Sequence, residues 1–131
     1  MGDETMSIFD HLGYSVGDFE KSSSFYDAAL APFGIKRLSG YEFPGGQGIG
    51  YGADQPQFWI NSGAALRDHV HLAFAAKNRA EVDAFYAAAI AAGGKDNGAP
   101  GLRPQYHPNY YAAFVFDPDG HNVEAVCHAP E

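Results

Sequence analysis

"HLGYSVGDFEKSSSFYDAALAPFGI", residues 11–35, returns sixty residues later as "HLAFAAKNRAEVDAFYAAAIAAGGK", residues 71–95, with no gap between the copies. His11 and His71, Leu12 and Leu72, Phe25 and Phe85, Tyr26 and Tyr86, and Gly34 and Gly94 coincide, together with three alanine pairs. Alanine matches carry little, since any helix is rich in Ala. Two histidines and two Phe-Tyr pairs at one fixed offset point to a duplication, and a repeat must be read before any single element is assigned.

Each copy opens with the period-two pattern of a strand covered on one side. His11, Gly13 and Ser15 fall on one face, Leu12, Tyr14 and Val16 on the other. A helix follows, with Asp18 and Asn78 placed to accept hydrogen bonds from the open amides of its first turn. Phe25, Leu30 and Phe33, and in the second copy Val82, Phe85, Ala89 and Ile90, supply apolar stripes near helical spacing. Gly34 and the Gly93-Gly94 pair suit the left-handed residue that ends a helix.

Strand-like runs come next, predicted at 36–43, 49–53 and 57–61, then at 110–116 and 122–128. Residues 95–109 are rich in Gly, Pro and Asn and contain no clean strand. The turns "FPGGQG" and "DPDGHN" offer glycines for positive φ where strands reverse. Each half therefore reads as βαβββ, the first over about 8–61 and the second over about 69–128, joined by a link from Ser62 to Arg67. The class is α+β, and 131 residues make one domain that buries roughly two-thirds of its unfolded surface.

Ten Phe, eight Tyr and one Trp make a disordered chain implausible, and eight Lys and Arg against sixteen Asp and Glu leave a net charge of -8. That sign argues against nucleic acid or an anionic membrane surface as partner. The lone Cys127 has no intramolecular disulfide partner, the start MGDETMSIFD lacks a signal-peptide pattern, and no apolar run is long enough to span a bilayer. The expectation is a soluble cytoplasmic protein.

Along the last strand Asn122, Glu124, Val126 and His128 share a face. If that strand joins the sheet of the histidine strands, Glu124 meets His11 and His71 on the concave side. Two imidazoles and one carboxylate, with other positions open to water or substrate, form a donor set used by catalytic divalent metals. The small residues Gly13, Ser15, Ala73 and Ala75 beside these donors leave volume on the same face. Against this stands the ordinary reading, in which a lone strand histidine is hydrogen-bonded in the core or exposed at an edge. His69 shares a face with His71, and the offset of sixty selects His71. His128 falls beside Glu124, while His107 and His121, in loop contexts, are expected at the surface.

"FDHLGYSVGDFEKSSSFYDAAL", "HVHLAFAA" and "AAFVFDPDGHNVEAV" together resemble the vicinal oxygen chelate superfamily, which includes glyoxalase I, extradiol dioxygenases, fosfomycin-resistance enzymes and bleomycin-resistance proteins. The resemblance implies two βαβββ modules forming a curved mixed sheet with an enclosed cup, and a homodimer. It also implies a metal held by His11, His71 and Glu124: Zn, Fe, Mn or Ni. The function implied is a divalent-metal-dependent lyase, isomerase or dioxygenase acting on a small oxygen-chelating substrate. The alternative is a metal-free small-molecule-binding protein of the bleomycin-resistance type. The stretch "PQFWINSG" lacks the carboxylate that glyoxalase I takes from the end of its first module, which argues against lactoylglutathione isomerisation. Gly13 stands where fosfomycin enzymes tend to carry Thr, and extradiol dioxygenases usually have four modules. Tyr51, Trp59 and Tyr111 are the candidate substrate-lining residues, with Tyr106 and Tyr110 also aromatic nearby, and strict alternation lets only one of Tyr110 and Tyr111 face inward. No residue is singled out as general base.

Overall fold

The computed structural model describes residues 9–66 and 68–131. Residues 1–8, the last of which opens the expected first module, and Arg67, the end of the expected link, lie outside the described residues. The first half comprises β1 (Leu12–Val16), α1 (Phe19–Leu30), a 3-10 turn (Ala31–Phe33), β2 (Lys36–Phe43), β3 (Gly46–Gly52) and β4 (Phe58–Ser62). The second comprises β5 (His71–Ala75), α2 (Arg79–Ala91), two short strands β6 (Lys95–Asp96) and β7 (Gly101–Leu102), β8 (Tyr111–Phe116) and β9 (Asn122–Cys127). Among the described residues no helix is long and apolar enough to cross a membrane.

Local chemistry sets both helix starts. Asp18 accepts from the Lys21 amide at 3.0 Å and Asn78 from the Glu81 amide at 2.9 Å, each satisfying a donor that the first turn leaves open. The turns expected at "FPGGQG" and "DPDGHN" form, with Gly45 at φ 86° and Gly120 at φ 87°. In the stretch without a clean strand pattern, two two-residue strands each pair with β8; Gly98 and Pro100 between them break the ladder.

The modules share one topology. In the first, the order is β1-β4-β3-β2, and in the second β5-β9-β8-β6, with β7 also on β8. The opening strand of each runs parallel to the closing strand, Leu12 opposite Phe58 and His71 opposite Asn122, while the other neighbours are antiparallel. The strands thus form two sheets, and β1 and β5 each end one of them.

The core lies where the modules meet. Phe25, Leu30 and Phe33 from the first half cluster with Val82, Phe85, Val115 and Val123 from the second. The Phe33 ring stacks on Phe85 at 5.7 Å and Phe74 at 6.2 Å, and Phe58 meets Phe74 edge-on at 5.6 Å. Full burial of each such side chain contributes about 1.5–3 kcal/mol. A polar chain ties the same junction: the Tyr14 and Tyr26 hydroxyls lie 2.7 Å apart, and Tyr26 donates to Asp117 Oδ2 at 2.7 Å. The Asp119 and His121 amides donate to Asp117 Oδ1 at 2.9 and 2.8 Å.

His121 corrects a sequence expectation. It is fully buried rather than at the surface, its Nδ1 accepting from the Val70 amide at 3.1 Å and its ring edge-on to Tyr14 at 5.1 Å. The loop chemistry around it was legible; the first module's Tyr14 covering that loop was not.

Candidate functional site

Strand pairing brings two of the three candidate ligands together. In the parallel β5–β9 register His71 faces Asn122 and Ala73 faces Glu124, so His71 and Glu124 are diagonal neighbours on one face. His71 Nε2 and Glu124 Oε1 are 2.7 Å apart. The Glu124 side chain is only 1% exposed, whereas that of His71 is 54% exposed, so a buried carboxylate opens toward solvent through an imidazole.

The other oxygen of Glu124 belongs to Tyr110, whose hydroxyl donates to Oε2 in a short hydrogen bond. Burial first and the Glu124 carboxylate second push the Tyr110 pKa up to about 12, so the phenol keeps its proton and remains a donor. Around this pair stand more rings. Tyr106 meets Tyr110 edge-on at 5.1 Å, His128 meets Tyr110 at 5.1 Å, and His107 meets His128 at 5.6 Å. The Arg103 guanidinium lies 5.3 Å over Phe114, opposite Glu124 in the β8–β9 register, and donates to the Gly101 and Ala99 carbonyls.

His11 lies apart from this group. Its Nδ1 is 2.7 Å from Asp10 Oδ1, and its side chain is 60% exposed. It lines a cavity of about 410 Å3 with Gly13, Tyr41, Trp59 and Asn61. A second cleft of about 430 Å3 runs from His11 and Leu12 past Tyr51 and Phe58 to Leu72–Ala75. Among the described residues no group of three or more His, Cys, Asp or Glu is placed to hold a metal ion. Within one chain, then, His71 and Glu124 meet and His11 does not join them.

The aromatic candidates separate as well. Trp59 stands in the cavity beside His11. Tyr51 is a core residue: it is 1% exposed, its hydroxyl lies 3.0 Å from Asp27 Oδ1 and 3.2 Å from the Ser23 carbonyl, and burial raises its pKa. Tyr111 does not line the Glu124 face. It donates to Asp83 of α2 at 2.7 Å with the Arg79 guanidinium 5.1 Å above its ring, and Tyr110 takes the inward place. The signal was present, because Tyr111 shares its parity with Ala113 and Val115, both core residues. His69 is likewise removed, its ring packed at 5.9 Å against His121.

The profile of the Glyoxalase/Bleomycin resistance protein/Dioxygenase superfamily matches residues 8–125. No curated protein sequence matches the chain. Among solved structures, a glyoxalase/bleomycin resistance protein from Albidiferax ferrireducens is 31% identical, with 94% of this chain and all of that one covered at a TM-score of 0.70. A genomically encoded fosfomycin resistance protein from Listeria monocytogenes shares the fold at 21% identity, with 97% and 95% covered and a TM-score of 0.68. A glyoxalase I variant from Zea mays does so at 22% identity and a TM-score of 0.67, with 90% of this chain covering 44% of that one. With its duplicated βαβββ halves, its paired histidine and buried glutamate, and a profile match over nearly its whole length, this chain belongs to the glyoxalase/bleomycin resistance protein/dioxygenase superfamily.

Proposed function

We propose that the protein is a divalent-metal-dependent enzyme acting on a small oxygen-chelating substrate by lyase, isomerase or dioxygenase chemistry. His71 and Glu124 of one copy and His11 of a second copy would hold the ion. The observation that carries this reading is the His71–Glu124 contact on a carboxylate otherwise closed to water. A neutral imidazole and a carboxylate are both ordinary divalent-metal donors, and a metal competes with the proton they share here. The donor set suits Zn, Fe, Mn or Ni.

The sheet edges support a homodimer. β1 and β5 end their sheets, and each presents a row of backbone groups available for pairing. A two-fold interface that pairs β1 of one copy with β5 of the other covers both edges at once. It also sets His11 beside the partner copy's histidine–glutamate pair. Two half-sites become one cup.

In that cup, Tyr110 holds Oε2 of Glu124 and so fixes the plane of the carboxylate. Tyr106, Trp59 and Phe114 form walls that limit water, and His107 and His128 stand at the rim, where a substrate proton can be taken up. A divalent ion bound there would supply Lewis acidity for negative charge that develops on a substrate oxygen.

Metal analysis tests the reading. After reconstitution with each candidate metal and desalting, the protein is expected to retain about one ion per chain, and His71→Ala and Glu124→Ala to retain little. Equally negligible metal in all three samples would favour the second reading, a metal-free small-molecule-binding protein. That alternative draws on the hollow beside His11 and on the lack, among the described residues, of a three-donor group within one chain. Tyr110→Phe gives a finer check. Loss of its hydrogen bond should weaken metal binding by roughly 10–100-fold, by competition with a chromophoric chelator, while unfolding of the metal-free protein shifts by only about 1 kcal/mol. Unchanged metal affinity would remove Tyr110 from this role.

A further inference from the structure

β3 reads GQGIGYG, and its alternate glycines lie beneath aromatic rings on the face turned away from the core. Pairing sets Gly46 opposite Phe43, Gly48 opposite Tyr41 and Gly50 opposite Trp59, with Gly13 of β1 on the other side of Trp59. A Cβ built on Gly48 would stand 2.5 Å from the Tyr41 ring, and one on Gly50 would stand 2.7 Å from the Trp59 indole. One on Gly13 would come within 2.8 Å of Trp59 Cβ, and one on Gly46 would strike the Phe43 ring. Side chains at these positions would lift the rings, so the glycines let three aromatics lie down on bare backbone. The intervening Ile49 and Tyr51 fill the core from the same strand.

The rings are flattened from below yet open above. Tyr41 and Phe43 are 45% and 40% exposed, and the Tyr41 centroid lies 5.7 Å from that of Phe43 and 5.8 Å from that of Trp59, with interplanar angles of 35° and 52°. Together they make a shallow aromatic trough. The hollow over Tyr41 and Trp59 is open to solvent and continues to Gly13, Asn61 and His11. Asn61 Oδ1 accepts from the Tyr41 hydroxyl at 3.2 Å and holds that ring in place. Exposed aromatics in a contiguous patch are costly in water, and a shallow apolar hollow with the polar groups of Asn61 and His11 at one end suits a small molecule with one flat and one polar end.

We propose that this trough is a subsite for a planar aromatic group of the substrate, laid over Tyr41 and Trp59 with its oxygen substituents directed toward His11. The oxygen end of this placement rests on the metal-site reading above; the stacking end does not. Flat rings gain from offset or edge contact with aromatic side chains, a gain that a puckered saturated ring of the same size lacks.

Trp59 is the chain's single tryptophan, so its fluorescence reports on the trough without labelling. The probes are 2-naphthoate and decahydro-2-naphthoate, which share a carboxylate and a two-ring skeleton and differ in flatness and π character. With metal-free protein, calorimetry should give about tenfold tighter binding of 2-naphthoate, accompanied by a change in Trp59 emission. Tyr41→Leu, which keeps apolar area at an exposed position, and Gly48→Ala, which raises the ring, should each abolish most of that preference. Equal affinity for the two probes would overturn the proposal. So would a preference untouched in Tyr41→Leu, or a Trp59 screened from both probes by a second copy. Repeating the titration with metal-loaded protein separates the two ideas: if loading adds no affinity for either carboxylate, the metal reading fails while the stacking preference stands.

Discussion

Mixed and allowed to exchange subunits, His11→Ala and Glu124→Ala proteins are expected to bind metal that neither retains alone. The reasoning is geometric. His71 and Glu124 meet at 2.7 Å within one chain, while His11 belongs to a separate cavity with Trp59. If each site draws His11 from one copy and Glu124 from the other, either variant by itself has every site damaged. A mixed dimer has one site with both losses and one fully intact. Random exchange makes half of the dimers mixed, so the equimolar mixture should recover about one quarter of the wild-type metal content. Each variant alone should lose more than the roughly 10–100-fold that removing an outer-shell partner costs, because a direct donor is gone. A mixture that stays at the level of its separate components would mean that the copies do not share sites.

The second large effect is on stability. Asp117→Ala should lose on the order of 3–5 kcal/mol, because it strands donors in the buried junction between the modules. The Tyr26 hydroxyl and the Asp119 and His121 amides all converge on this carboxylate, which is 4% exposed. Among the described residues those two amides have no other acceptor. Such a loss is a large part of the 5–15 kcal/mol that ordinarily holds a domain together. Tyr26→Phe, which removes one donor and leaves the carboxylate its two amides, should cost only about 1 kcal/mol. Urea denaturation midpoints at constant slope measure both. A loss below about 1 kcal/mol for Asp117→Ala would show that the junction does not depend on this network.

Local patterns were legible because their causes are local. A side-chain oxygen one residue before a helix, as at Asp18 and Asn78, finds its amide donor three residues on whatever the rest of the chain does. Alternation placed Leu12, Tyr14 and Val16 toward the core, and all three pack there. The strand at 36–43 came out with its expected bounds, and the others moved by a few residues at most, since strand ends depend on neighbours. His121 is buried where its loop context pointed to the surface, because Tyr14, remote in sequence, covers it; Tyr111 is likewise engaged by remote residues, Asp83 and Arg79.

By itself the amino-acid sequence determined the duplicated βαβββ halves, the helix caps and turns, and which face of each strand carries the histidines and Glu124. These follow from periodicity and from contacts within a few residues, and the repeat makes them count twice. Only the tertiary structure decided that β5 and β9 lie side by side, so that His71 reaches Glu124, and that β1 ends a different sheet, so that His11 does not. It also brought the Tyr110 hydroxyl onto that carboxylate. The physical reason is that two modules with apolar helix faces dock through rings such as Phe33, Phe74 and Phe85, and the packing of those rings sets how the histidine-bearing strands stand relative to each other. No spacing along a chain encodes that angle.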